Sequence, residues 1–176
     1  MSNARVAHMQ SYQATRPIYR FVRWTATPHW MAKIYGVIQE PLDHMVYRLS
    51  GGAYTATSWL AGVEITMLTT TGARSGQPRT VPVLGLPEGD NLILVASNFG
   101  RPHNPSWYHN LRANPRATIV FNRIRREMSA RELSGTERER GYRRAEEIHP
   151  AFNQYGRWAG NRRIPVVLLE PAPESP

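Results

Sequence analysis

Cysteine is missing from all 176 residues. That removes disulfides, thiolate nucleophiles and cysteine-ligated zinc or iron–sulfur sites, and it fits a reducing compartment. Lysine is almost missing as well, since Lys33 is the only one. No apolar run is long enough to span a bilayer. The opening MSNARVAHMQ lacks the apolar core and small-residue cleavage site of a secretory signal. The expected location is therefore cytoplasmic. GxGxxG does not occur, which argues against a Rossmann sheet. G-x-S-x-G does not occur either, and no Ser-His-Asp order stands out, so serine hydrolysis has no support. The six histidines are scattered. His103 and His109 lack the spacing and carboxylate company of a zinc site, and no metal is expected. Glu146 and Glu147 read as a solvated helix face.

What the chain has in surplus is arginine. The formal net charge is +9 and the pI about 10.6. Such a surplus suits an anionic partner: nucleic acid, a membrane surface, or a phosphorylated and carboxylate-rich small molecule. Arginine in particular favours planar, bidentate contacts to phosphate and carboxylate. Genome base composition explains the arginine bias equally well. Hydrophobic content of 41% with five tryptophans argues for a folded protein of about one domain.

Residues 1–60 read as an N-terminal helical extension after a frayed start. Trp30, Met31, Ile34, Val37 and Ile38 fall at helical spacing, and Leu42, Met45, Val46 and Leu49 form a second stripe after Pro41. Arg5, Arg16, Arg20, Arg23 and Lys33 precede the first acidic residue, Glu40. A basic, aromatic segment of this kind docks on a core or lies on a membrane surface. From Gly62 the period changes to two. Strands are expected to about Thr71, from Arg79 to Leu86, Leu92 to Ala96, Thr118 to Phe121, Ile124 to Leu133 and Ile164 to Leu169. Pro82 implies an edge or a bulge, and the apolar Leu92–Ala96 run implies a central strand. Asn104 reads as the N-cap of a short helix with Pro105 in its first position. Asn122-Arg123 reads as a tight turn, and Ser134 with Glu137 as a capping box opening a charged helix. About six short antiparallel strands with flanking helices make an α+β, mainly β, barrel over 61–171, with 172–176 as a tail.

Three features suit a cofactor with an anionic tail. The first is the stretch Leu68–Pro82, LTTTGARSGQPRTVP, a strand, a glycine turn flanked by Arg74 and Arg79, and a second strand. By itself it reads more readily as an ordinary hairpin than as an anion cradle. The second is the strand end Val95-Ala96-Ser97-Asn98, where backbone groups leave the ladder. The third is the helix start after Asn104, whose dipole and free N–H groups suit an anion. Together they reverse the reading of the turn.

These residues carry a resemblance. LTTTGARSGQPRTVP, a strand ending in VASN, and NPSWYHNLRANP follow one another in the order and spacing of the deazaflavin-dependent nitroreductases and quinone reductases. The chain resembles that family from about Val63 to Pro171. The resemblance implies a split β-barrel of the FMN-binding, flavin-reductase type. It implies a reduced 8-hydroxy-5-deazaflavin, coenzyme F-420, with a phospholactyl oligoglutamate tail, as the donor of a hydride to an organic acceptor such as a quinone, nitroaromatic or activated enone. Carried onto this chain, Ala73, Arg74 and Ser75 hold the phosphate and tail. Arg79, Thr80, Val81, Pro82, Val83 and Leu84 line the cofactor. Val95, Ala96, Ser97 and Asn98 contact the ring, and Ser106, Trp107, Tyr108, His109 and Asn110 meet the tail. His149, Phe152 and Tyr155 close the acceptor pocket, with Ser97 and Tyr155 orienting the acceptor. Two departures matter. Ala73 stands where relatives often carry arginine, which predicts a weaker hold on the tail. His149 and Phe152 stand where nitroimidazole-reducing members carry tyrosines, which leaves quinones and other acceptors open.

Two other readings of the same residues are an FMN-dependent reductase of this fold and a non-enzymatic basic binding protein. The latter would use the run Arg101–Arg126, with six arginines and no acidic residue. No nucleic-acid-binding motif accompanies that run, so nucleic acid is not the expected partner. The expected partner is a small-molecule acceptor, with peripheral membrane contact through the N-terminal helices and a monomer or weak homodimer in solution.

Overall fold

Side chains alternate across a pleated strand, so a strand apolar on both faces must be covered on both. β3 is such a strand, and the molecule is built around it. The structure, a computed structural model, describes residues 65–121 and 124–173. Its strands are β1 (Ile65–Thr71), β2 (Pro78–Glu88), β3 (Asn91–Val95), β4 (Arg116–Phe121), β5 (Ile124–Glu132) and β6 (Val166–Pro171). Its α-helices are α1 (Ser106–Ala113), α2 (Gly135–Ile148) and α3 (Ala151–Trp158). The strands close into an antiparallel barrel in the order β1-β2-β3-β6-β5-β4, with β4 returning to β1. This is the mainly β, six-stranded antiparallel barrel that the sequence predicts. The helices predicted within 1–60, the chain before Ile65, the Asn122-Arg123 turn and the last three residues of the tail lie outside the described residues.

Leu92, Leu94 and Ala96 face a barrel interior shared with Leu68, Ile119, Met128, Val167 and Leu169. Ile93 and Val95 face the other way, into a second core under α2 and α3 with Val166, Leu168, Ala145, Phe152 and Tyr155. The run predicted as a central strand does lie between β2 and β6. α1 closes one end of the barrel, inserting Trp107, Tyr108 and Leu111 into the interior core. The Tyr108 hydroxyl donates to Glu132 Oε2 at 2.8 Å, and burial, then Glu132, pushes its pKa up. No described helix is long and apolar enough to cross a membrane.

β2 pairs with β1 along Pro78–Leu84 but with β3 only from Gly85 onward. Its upper half therefore has one strand neighbour, and Pro82 falls on that free edge, as its missing N–H requires. Two expectations need correction. The charged helix does start after Ser134, but no side-chain cap forms. Glu137 is drawn instead to Arg131, accepting from both ends of its guanidinium at 2.8 and 2.7 Å. A two-point charge-assisted pair outcompetes a single bond to a backbone amide. The short helix begins at Ser106 with Pro105, not Asn104, as the capping residue. The Asn104 side chain instead accepts from Arg162. The aromatic residues Phe152, Tyr155 and Trp158 lie on the helix α3.

Candidate active site

The β1–β2 turn is tight. Gly72 N–H donates to Gln77 O at 2.9 Å and Gly76 N–H to Gly72 O at 2.8 Å. Gly76 has φ +66°, which a side chain would strain. Gln77 N–H reaches Ser75 Oγ at 3.3 Å. Ala73 N–H donates to Asn110 Oδ1 at 3.0 Å, and Asn110 Nδ2 donates to Thr70 Oγ1, also at 3.0 Å. Asn110 is buried, so one side chain on α1 ties down both β1 and the turn. Among the described residues, that leaves the Arg74 and Ser75 N–H groups without protein acceptors. The Arg74 and Arg79 side chains are exposed and make no ion pair with described residues.

Beside the turn stands the start of α1. Tyr108 N–H bonds Pro105 O at 3.1 Å. The Ser106 and Trp107 N–H groups, ahead of it in the first turn, have no described acceptor. Ser106 and His109 are exposed, while Trp107 packs beneath in the barrel core. The turn and the helix start thus present free N–H groups and two guanidinium groups, held near one another by Asn110. That arrangement suits an anion.

β2 carries the lining. Arg79 pairs with Thr70, Val81 with Leu68 and Val83 with Thr66. Opposite residues share a face, so Arg79, Val81 and Val83 follow the barrel-interior side, with the two valines packed on its core. Thr80, Pro82 and Leu84 take the other face. Thr80 bonds Thr69 hydroxyl to hydroxyl at 2.8 Å, and Leu84 packs on the core under α2 and α3.

The chain leaves β3 in an unusual way. Val95 faces the α3 side and Ala96 the barrel side. Ser97 is buried, and its hydroxyl has no protein partner among the described residues. Asn98 and Phe99 have φ +49° and +55°, a left-handed conformation uncommon for residues with side chains. Asn98 Nδ2 donates to His103 O at 2.9 Å. Phe99 meets the Tyr155 ring edge to face at 5.9 Å. His149, Phe152 and Tyr155 form a ladder of T-shaped ring contacts at 5.6 and 5.9 Å. Phe152 and Tyr155 are buried, and burial pushes the Tyr155 hydroxyl up to about 12. This hydroxyl too has no protein hydrogen bond among the described residues.

Sequence reasoning named Asn110 only as a tail contact, and its side chain is committed to the turn. It did not single out Arg162, whose guanidinium spans the loop after β3. Nε donates to Arg101 O at 3.0 Å, Nη1 to Ala96 O at 3.2 Å and to Asn104 Oδ1, and Nη2 to Ser97 O at 2.7 Å. Arg162 stands between Asn161 and Arg163, five residues after Arg157, and nothing local sets it apart.

A closed six-stranded barrel, its mouth plugged by one short helix and its outer face covered by two, is the architecture of split-barrel flavin and deazaflavin reductases. Residues 42–171 match the model of the F-420H(2)-dependent quinone reductase family, and the chain belongs to that family. It is similar to an F-420H(2)-dependent quinone reductase of Mycobacterium tuberculosis, at 33% identity over 144 residues, covering 80% of this chain and 95% of the relative. A solved F420-H2 dependent reductase aligns at 39% identity with TM-score 0.57, over 61% of this chain and 94% of that one. A solved domain-swapped dimer aligns at 34% identity with TM-score 0.59, over 72% and 95%.

Proposed function

We propose that the protein is a reductase that transfers a hydride from reduced coenzyme F-420 to a quinone-like acceptor. The observation that carries this reading is the Asn110 bridge. It sets the Gly72–Gly76 turn, with its free N–H groups and flanking arginines, beside the start of α1. Polyanionic cofactor tails need such a cradle, and the residues present fit one. Bound there, the reduced deazaflavin supplies a hydride, two electrons together.

The chain's own residues bind, orient and exclude water. Arg74 and Ser75 hold the phosphate, with Ala73 fixing the turn through Asn110, Arg79 beside the anion and the first turn of α1 facing the tail. Val81 and Val83 offer an apolar wall, and the free edge of β2 at Thr80–Leu84 offers backbone groups. Val95, Ala96, Ser97 and Asn98 bound the ring. The Ser97 hydroxyl, free of partners among the described residues, donates to the acceptor oxygen as negative charge develops on it. Tyr155, neutral across the physiological range, is a second donor of the same kind, with His149 and Phe152 forming the wall behind it. Asn110 holds the turn rather than the ligand.

The test is a titration of the purified chain with reduced deazaflavin and, separately, FMN, followed by tryptophan fluorescence. Tight FMN binding with no deazaflavin binding sinks the reading. We also propose that the basic, aromatic stretch before Glu40 brings the protein to membrane surfaces where lipid quinones partition. Failure to co-sediment with anionic vesicles at low salt would exclude that contact.

A further inference from the structure

We propose that Arg162 is a positioning residue. It holds the strand-end loop Ala96–Asn104 in the one backbone conformation that presents Ser97 to the acceptor. The inference rests on the proposed reductase function for its consequence but not for its geometry.

Where β3 ends, the ladder no longer supplies partners for backbone carbonyls, and buried carbonyls need them. Arg162 supplies three such partners and a fourth bond to the Asn104 side chain. Its guanidinium is partly buried, and burial lowers its pKa. It makes no ion pair with described residues, and its described acceptors are all neutral oxygens. Such a group is present for its geometry: a planar fork reaches several acceptors at once, and a lysine ammonium cannot.

The loop needs that hold. Asn98, Phe99 and Gly100 are consecutive residues with positive φ, at 49°, 55° and 73°. Left-handed backbone at side-chain-bearing residues persists only where the surroundings over-determine it. Gly100 cannot carry a side chain, because a Cβ there would lie 2.7 Å from Trp158 Cβ and 3.0 Å from Tyr155 O. The loop is thus wedged on α3 at one side and drawn in by Arg162 at the other. Ser97 O takes both Gly100 N–H at 3.0 Å and Arg162 Nη2 at 2.7 Å. Its backbone is fixed twice while its hydroxyl is left for a ligand.

The test uses the full chain with Arg162→Gln and Arg162→Lys. Without cofactor, amide hydrogen exchange at Gly100 and Arg101 should speed up by at least ~10-fold in R162Q, with the β3 and β6 ladder amides unchanged. With cofactor, the F-420H2 dissociation constant should rise, and kcat at saturating donor and soluble naphthoquinone should fall, each by ~10-fold. R162K should recover part of each. A purely structural arginine would lower the melting midpoint but leave the dissociation constant and kcat unmoved well below that midpoint, and that result overturns the proposal. Unchanged exchange at Gly100 and Arg101 overturns it as well. Should R162Q fail to fold, Asn104→Ala keeps the charge and removes one acceptor. It should move the same readouts by ~3-fold, and no movement in it and R162K together refutes the role. If the wild type binds no F-420, the function proposal fails while the exchange experiment still judges Arg162.

Discussion

Tyr155 lends itself to a measurement of pH dependence. Burial pushes its hydroxyl from the ordinary 10 to about 12, so the folded state holds the proton more tightly than the unfolded state does. The stability linked to it is complete below about pH 10 and is lost as pH rises through 12. Two pKa units correspond to about 2–3 kcal/mol. Tyr142 and Tyr108 are shifted the same way by burial, so the wild-type alkaline limb sums all three. In Tyr155→Phe we expect that limb to shallow by about 2–3 kcal/mol between pH 10 and 12. Urea unfolding at several pH values reads it, and parallel curves for the two proteins would remove the assignment. Arg79 supplies a second test. It is exposed and makes no described ion pair, so Arg79→Ala should change stability by less than ~0.5 kcal/mol. Deazaflavin affinity should fall by ~10- to 100-fold, as loss of a charge-assisted hydrogen bond predicts. Equal affinities would take Arg79 out of the site. At this scale the sequence singled out residues whose type suggests a chemistry in a local motif, such as Arg74, Arg79 and Ser97. Arg162 stayed hidden because its acceptors lie 58 to 66 residues away, and no local spacing encodes that.

Elements were legible where their period was local. Leu92–Ala96 declared a central strand, and Pro82 an edge or a bulge, of which the structure has the edge. What failed was competition between local and distant partners. Ser134 and Glu137 have capping-box spacing, yet Arg131 on β5 takes the Glu137 carboxylate and lowers its pKa. Asn104 has capping chemistry, yet Arg162 claims its side chain, and the helix starts a residue later. Asn110 shows such a link across elements most clearly. It joins α1 to β1 and to the β1–β2 turn, so Asn110→Ala strands the Ala73 amide and loosens the Thr70 hydroxyl. Leaving buried polar groups unpaired costs about 1–3 kcal/mol. We expect a lower melting midpoint of that size together with weaker cofactor binding, because the turn loses its anchor. A midpoint drop with unchanged deazaflavin affinity would mean that the turn keeps its shape without α1, and the cradle would then not depend on the bridge.

Over the whole molecule, charge is the property that composition fixed and the fold had only to distribute. A net charge of +9 raises the local concentration of any polyanion, and salt screens that attraction. The anion-binding end of the proposed site is exposed, at Arg74, Arg79 and the N–H groups of Ser75 and Ser106, open among the described residues. The ring end lies by buried Val95, Ala96 and Ser97. Salt should therefore act on the two ends of the ligand unequally. The Debye length falls from about 10 Å at 0.1 M to about 3 Å at 1 M ionic strength. Across that range we expect the dissociation constant for intact F-420 to rise by ~10-fold, while that of the tail-free deazaflavin ring stays within ~2-fold. The Arg74→Ala, Arg79→Ala double variant should flatten the first slope toward the second. Isothermal titration at three salt concentrations gives all of these slopes. A steep slope for the tail-free ring would place the electrostatic contact at the ring rather than at the Gly72–Gly76 turn. A slope unchanged by the double variant would assign it to arginines elsewhere on the surface. A flat slope for intact F-420 would show that the surplus charge serves some other partner.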